Sequence, residues 1–185
     1  MSASSEAILI ESLFGLGALI VIGGLVTLVI ARKRQQTLRS PMTIIICGAG
    51  IAIIAILLNV LMFKTYDNVR LKKNQYYEAT SLTSNMRQSL ASSRSANQPV
   101  APNDKKASKN VTYLVKHTNQ TKTALKRAQD AQQQLETKRH PDIQRIHRDY
   151  RVVLQSYFDK IVTGKDADRL TKHAYRQVLH FNKNA

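Results

Sequence analysis

The residues best placed for chemistry in this sequence are the cations of its last predicted helix, which starts near Asp166. Leu170, Ala174 and Val178 form one face of that helix, and its cations lie on the other within about 80°, at 100° per residue. The same pattern is typical of a solvated polar face, but only Asp166 and Asp168 oppose these cations, in the first turn, where the helix dipole favours them. We therefore predict a polyanion-binding site formed by Arg169, Lys172, Arg176 and Lys183.

Catalytic and metal-binding patterns are missing from the sequence. The five histidines include two pairs spaced by seven residues, which places the partners about 10 Å apart along a helix, too far to share a metal ion. There is no Gly-rich phosphate loop, HExxH or GxSxG motif, and the single cysteine, Cys47, lies in an apolar stretch. We expect no catalytic residue, no metal and no cofactor, and therefore no enzyme.

Positive charge is concentrated in the polar part of the chain. Of the net charge of +16, residues 64–185 contribute +14, with 24 Lys and Arg against 10 Asp and Glu. A field of this sign favours anionic partners such as envelope polymers, lipid headgroups or nucleic acid. The absence of a motif that recognises a nucleic-acid groove argues against nucleic acid.

Two uncharged apolar stretches, 13–30 and 42–63, precede this basic region and are joined by a loop over 31–41. Because a helix needs about 20 apolar residues to cross a bilayer, both are long enough to span it. We predict a transmembrane hairpin over residues 1–63, in direct contact with membrane lipid.

The flanking charges predict the orientation of this hairpin. The N-terminal flank has Glu6 and Glu11 and no cation, whereas four cations crowd the loop: Arg32, Lys33, Arg34 and Arg39. The positive-inside rule then places the loop in the cytoplasm and both termini outside. The cations that follow the second helix oppose this weakly, so that helix alone gives no orientation.

Small residues predict how the two helices pack. Counted from the loop, Gly24 and Gly48 lie at one depth and Gly17 and Ala55 at another, with Ala52 nearby. Small residues at matching depth let two backbones approach in lipid. Packing within the hairpin is our first interpretation, and a homo-oligomer formed through Gly48 and Ala52 is the alternative.

The polar region predicts an all-α fold. Helical spacing over 64–93 indicates a stalk continuous with the second transmembrane helix, and Pro99 and Pro102 indicate a flexible linker over 94–109. Residues 110–185 are predicted to form basic helices. Together with the stalk they would make an antiparallel bundle of three or four helices. We interpret the sequons at Asn110 and Asn119 as chance matches.

From these features we expect a non-enzymatic bacterial protein of the cell membrane, with two spans and its helical domain outside the cell. This domain would bind or organise anionic envelope components or a partner protein in a membrane complex, and its Lys-, Gln- and Asn-rich composition suggests a Gram-positive source. One alternative is a cytoplasmic basic domain that binds nucleic acid or anionic lipid. Another is an accessory subunit or regulator of a transporter or secretion complex.

Overall fold

The computed structural model describes residues 3–35, 37–92 and 99–179. Within these ranges the chain forms seven helices and one pair of strands, and the all-α prediction is confirmed. In order they are α1 (Ala3–Lys33), α2 (Arg39–Met62), β1 (Phe63–Tyr66), β2 (Val69–Lys72), α3 (Lys73–Ser89), α4 (Pro102–His117), α5 (Lys122–Thr137), α6 (Ile143–Ile161) and α7 (Lys165–Leu179).

The chain divides into two compact units. The first contains residues 1–64 and 70–73, and the second contains 65–69 and 74–185. The first unit is built on α1 and α2, which pack side by side. Its segments Ile8–Lys33 and Arg39–Met62 are two helices long and apolar enough to span a membrane.

Small residues bring α1 and α2 together, although in a different register from the predicted one. Gly17 lies against the backbone of Gly48 and Ala52, and Gly24 lies against Ile45, so Gly24 and Gly48 are not opposite each other. Ala55 is buried. Counting residues from the loop predicts the depth of each small residue but not the direction in which it faces. The predicted pairing of small residues between α1 and α2 was therefore wrong by about one helical turn.

The predicted continuous stalk over 64–93 is interrupted by the strand pair. Helix α2 ends at Met62 because Phe63 is extended, with φ −120° and ψ 151°. Asp67 and Asn68 form the two-residue turn between the strands, with φ values of 46° and 61°. Positive φ at both positions is the backbone of a type I′ turn, in which Asp and Asn are favoured. The stalk prediction was therefore wrong at 63–72, and only α3 remains of it.

In its described part, the second unit contains five helices, α3 to α7, rather than three or four. Helix α4 begins at Pro102, inside the predicted linker 94–109, because proline fits the first turn of a helix, where no backbone N–H is needed. Residues 94–98 of that linker lie outside the described residues. Helix α4 ends before α5 begins, because Asn119 has φ 48° and Thr121 caps α5 by accepting a hydrogen bond from the N–H of Ala124 at 3.1 Å.

Helix α6 supplies the largest side chains of the core. Tyr150, Tyr157 and Phe158 are all buried. The hydroxyl of Tyr150 lies 2.7 Å from that of Ser89, and the hydroxyl of Tyr157 lies 2.9 Å from the backbone oxygen of Gln75. Both contacts hold α3 against α6 and so fix the position of α3 within the bundle.

Candidate functional site

The predicted cations of the last helix differ in their surroundings. Arg169 is paired, at 3.1 Å from Asp166 and 3.9 Å from Asp67. Lys172 and Arg176 are exposed and make no ion pair or hydrogen bond with any described residue. Lys183 lies outside the described residues. The three described cations therefore differ, since Arg169 is paired with two carboxylates and the other two are not.

Arg176 faces a cleft between α3 and α7. The cleft has a volume of about 510 Å³. Positions 80, 84 and 87 of α3 share one helix face because they are spaced by four and three residues, and positions 173, 176 and 177 of α7 do likewise. The lining residues are Thr80, Thr83, Ser84 and Arg87 from α3 and His173, Arg176 and Gln177 from α7.

The charge of this cleft is positive. None of the described lining residues is a carboxylate. The side chain of Arg87, like that of Arg176, is exposed and has no ion pair or hydrogen bond within the described ranges. Guanidinium groups form strong, charge-assisted hydrogen bonds with phosphate and carboxylate oxygens. The cleft is therefore suited to an anionic group that approaches both arginines.

A chain of hydrogen bonds orients the α7 side of the cleft. The hydroxyl of Tyr66 donates to Oε1 of Gln177 at 3.3 Å, and Nε2 of Gln177 donates to Nε2 of His173 at 2.9 Å. Nδ1 of His173 lies 3.3 Å from Oδ1 of Asp67. Because the amide N–H of Gln177 can only donate, Nε2 of His173 is the acceptor in this chain. Because this chain uses only one amide proton of Gln177, the second remains to meet a ligand.

Tyr66 stays neutral at the start of this chain. Burial raises the pKa of Tyr66, and the nearby negative charge of Asp67 raises it as well. The ring packs within 5.5 Å of the His173 ring and 5.9 Å of the Phe158 ring, centre to centre. Tyr66 is therefore a fixed hydrogen-bond donor for Gln177 at any pH near neutrality.

Two hydroxyl groups on the α3 wall are restricted to accepting hydrogen bonds. Thr80 donates its proton to the backbone oxygen of Tyr76 at 2.7 Å, and Thr83 donates to that of Ala79 at 2.8 Å. Each hydroxyl oxygen can then offer only lone pairs to another group. The cleft combines donors from its arginines with acceptors from its threonines.

The four loop cations of the first unit are exposed at the end of α1 and the start of α2. At the other end of this helix pair, Nη2 of Arg70 donates to Oδ1 of Asn59 at 2.8 Å, and Nη1 of the same guanidinium pairs with Glu11. Lys72 pairs with Glu6 at 2.6 Å. The cations after α2 are thus partly neutralised by the carboxylates that precede the apolar part of α1.

Sequence reasoning found Arg176 but missed Arg87 and its threonine neighbours. Nothing in the local pattern of α3 distinguishes Arg87 from other surface cations, because its partner helix lies far along the chain. Among the described residues, no group of three His, Cys, Asp or Glu side chains is arranged to hold a metal ion. Comparison of the chain with family models, curated proteins and solved structures finds no match in any of the three.

Proposed function

We propose that this chain is a bacterial integral membrane protein that crosses the membrane twice, through α1 and α2. Large apolar side chains cover the outer surface of this helix pair. Leu19, Ile46 and Val60, for example, are each 68 % exposed. Exposing such a surface to water along two helices of this length would be unfavourable, whereas a bilayer would cover it.

We place the loop between α1 and α2 in the cytoplasm and both chain termini outside. The support is an imbalance in unpaired charge. Arg70 and Lys72, which follow α2, are paired with Glu11 and Glu6, whereas Arg32, Lys33, Arg34 and Arg39 have no ion pair to any residue that the structure describes. The loop is therefore the more strongly positive flank, and positive flanks stay in the cytoplasm.

On the outer side, the bundle would bind anionic components of the cell envelope. The observation that carries this proposal is the cleft between α3 and α7, where Arg87 and Arg176 have no carboxylate partner among the residues that the structure describes. Two arginines that line one concavity without an ion pair to a described residue are not needed to keep a surface solvated. Binding at such a site would be electrostatic in large part and would weaken as salt is added.

We propose that this activity is binding and not catalysis. The three tyrosines with altered pKa values support this view. Burial raises the pKa of Tyr66, Tyr150 and Tyr157 away from neutrality, and a general acid or base works best with a pKa near the working pH. These tyrosines serve the core and the cleft wall as neutral donors.

Protease treatment of intact protoplasts tests the topology. We expect external protease to degrade the helical bundle while a tag inserted in the loop at Thr37 survives. The loop variant in which all four cations become Gln should lose this fixed orientation, whereas the matched change of Lys116, Lys122, Lys126 and Arg148 in the bundle should keep it. Protection of the bundle in the unmodified protein would refute the proposed orientation.

Sedimentation with purified cell walls tests the binding. The full-length protein in neutral lipid nanodiscs should sediment with the walls at low salt and be released as ionic strength rises. Retention by DNA, but not by walls, would instead favour the cytoplasmic alternative. No retention by any anionic polymer would rule out the proposed function.

A further inference from the structure

We infer that the cleft between α3 and α7 is a binding site for a polyol phosphate, meaning a phosphate ester with free hydroxyl groups next to it. This inference rests on the proposed function and names its ligand class. It follows from the separation of donors and acceptors within one concavity of about 510 Å³.

The donors of the cleft fit a phosphate group. Arg87 on α3 and Arg176 on α7 line the same cleft from two different helices. The planar fork of arginine matches two oxygens of a phosphate, which makes such contacts directional as well as charged. The second amide proton of Gln177, which no contact with a described residue uses, adds a neutral donor whose direction the hydrogen bonds from Tyr66 and to His173 fix.

The acceptors of the cleft fit hydroxyl groups of the same ligand. Thr80 and Thr83 have donated their protons to backbone oxygens of α3, so an anion gains nothing from them. A ligand hydroxyl, in contrast, can donate to the oxygen of Thr80, which is exposed, whereas Thr83 is only 4 % exposed. Polyglutamate and DNA place no free hydroxyl beside their anionic groups, whereas a glycerol phosphate repeat does.

The size of the cleft supports a repeating or substituted ligand rather than a free phosphate ion. Sites for small organic ligands commonly enclose about 300–1,000 Å³, and a lone phosphate fills only a minor part of such a space. Two sources share the required chemistry. One is an envelope polymer of polyol phosphate, and the other is the headgroup of phosphatidylglycerol in the membrane.

The test uses the full-length protein in phosphatidylcholine nanodiscs and measures affinity for a short glycerol phosphate oligomer by calorimetry. Comparison ligands are a glutamate oligomer and a single-stranded DNA of equal charge. Adding phosphatidylglycerol to the nanodisc forms a second arm. If it displaces the oligomer, the headgroup occupies the cleft, and if it does not, the polymer is the source.

The variants separate the cleft from general charge. We expect R87Q and R176Q each to weaken oligomer binding by about tenfold, as loss of a hydrogen bond to a charged group implies. The matched control R148Q removes an exposed cation of α6 that has no ion pair with a described residue, and should change the affinity less than about twofold.

Thr80→Val tests the polyol part, since it removes an acceptor and leaves the charge unchanged. It should weaken the glycerol phosphate oligomer but leave binding of inorganic phosphate as it was. Equal affinity for the glutamate oligomer, or unchanged binding in both R87Q and R176Q, would overturn the inference. Wall binding that survives in the R87Q/R176Q double variant would overturn the cleft assignment while leaving the proposed function intact.

Discussion

Gly17 and Gly48 meet backbone to backbone in the packing of α1 against α2. A Cβ atom on Gly48 would lie 2.9 Å from the carbonyl oxygen of Gly17, and one on Gly17 would lie 2.9 Å from the carbonyl oxygen of Gly48. Real Cβ atoms essentially never approach a backbone atom this closely. Both positions therefore require glycine for the helices to reach their observed separation.

Gly48→Ala should loosen this helix pair, because the added methyl group must push two backbones apart. We expect a loss of about 1–3 kcal/mol in the free energy of helix association, as for other overpacked interiors. It can be measured by fluorescence transfer between labels on α1 and α2 during denaturation with SDS.

Gly50→Ala is the matched control, since a Cβ atom there would meet nothing within 4 Å. This substitution adds the same methyl group and changes the helix propensity by the same amount, two residues from Gly48. If Gly50→Ala loosens the helix pair as much as Gly48→Ala does, the close approach at Gly17 is not what holds the two helices together.

The small residues of the helix pair were identifiable from the sequence, but their pairing was not. Glycine and alanine in an apolar stretch predict close packing, and Gly17, Gly48 and Ala52 do pack closely. Register depends on how side-chain ridges of two helices interlock, which involves Ile20 and Ile45 as much as the glycines. Composition along one helix contains no information about the ridges of the other.

The turn formed by Asp67 and Asn68 offers a second prediction. Asn68→Gly should leave stability unchanged or raise it slightly, because glycine adopts a positive φ without strain. Asp67→Gly relieves the same strain but also removes the contacts of the carboxylate with Arg169 and His173. We expect a net loss of up to about 1 kcal/mol, the usual range for partly exposed ion pairs.

Thermal unfolding of the two turn variants in detergent micelles, followed by circular dichroism, measures this difference. Each variant is the control for the other, because Asp67 and Asn68 are adjacent and have a similar backbone conformation. Equal stability of Asp67→Gly and Asn68→Gly would mean that the carboxylate of Asp67 contributes nothing to the fold.

This strand pair also illustrates where sequence reasoning failed. Its strands have four residues each, too few for the alternation of buried and exposed positions to stand out from a helical pattern. The other indication of a hairpin was the Asp67–Asn68 pair between the two short strands. The helical spacing of Tyr66, Val69 and Tyr76 obscured this indication. The cleft was hidden for another reason, because Arg87 and Arg176 meet only through the tertiary fold.

Arg127 and Asp149 provide a third prediction. Nη1 of Arg127 donates to Oδ1 of Asp149 at 3.1 Å, and the Asp149 side chain is only 3 % exposed. Its second oxygen, Oδ2, has no hydrogen-bond partner among the described residues. Arg127→Gln would remove the cation that is hydrogen-bonded to this buried carboxylate and should lower the free energy of unfolding at pH 7 by about 1–3 kcal/mol.

The effect of Arg127→Gln should shrink as the pH falls. Burial raises the pKa of Asp149 above its usual 3.8, and the charge of Arg127 limits that rise. The folded state thus binds the proton more readily than the unfolded state, so the contribution of Asp149 to stability declines as pH rises through its folded pKa. Chemical denaturation at several pH values measures this slope, and a loss that is independent of pH would contradict the explanation.

The buried tyrosines of α6 provide the last prediction, which concerns alkaline pH. Burial raises the pKa of both Tyr150 and Tyr157 well above the usual 10.0, and the charge of Glu78 raises that of Tyr157 further. The unfolded chain ionises these tyrosines near pH 10 while the folded chain keeps them neutral. Their contribution to stability is therefore complete below pH 10 and declines as the pH rises above it.

Absorbance at 295 nm during an alkaline titration measures how many of the seven tyrosines ionise before the bundle unfolds. Tyr150 and Tyr157 should ionise only together with the loss of helical circular dichroism. Tyr150→Phe removes one of these groups, along with its hydrogen bond to Ser89, and should reduce the steepness with which stability falls above pH 10. Tyr113→Phe is the control, since Tyr113 is 59 % exposed and should leave that slope unchanged. If all seven tyrosines ionise while the helices remain intact, Tyr150 and Tyr157 are not held in the core as described.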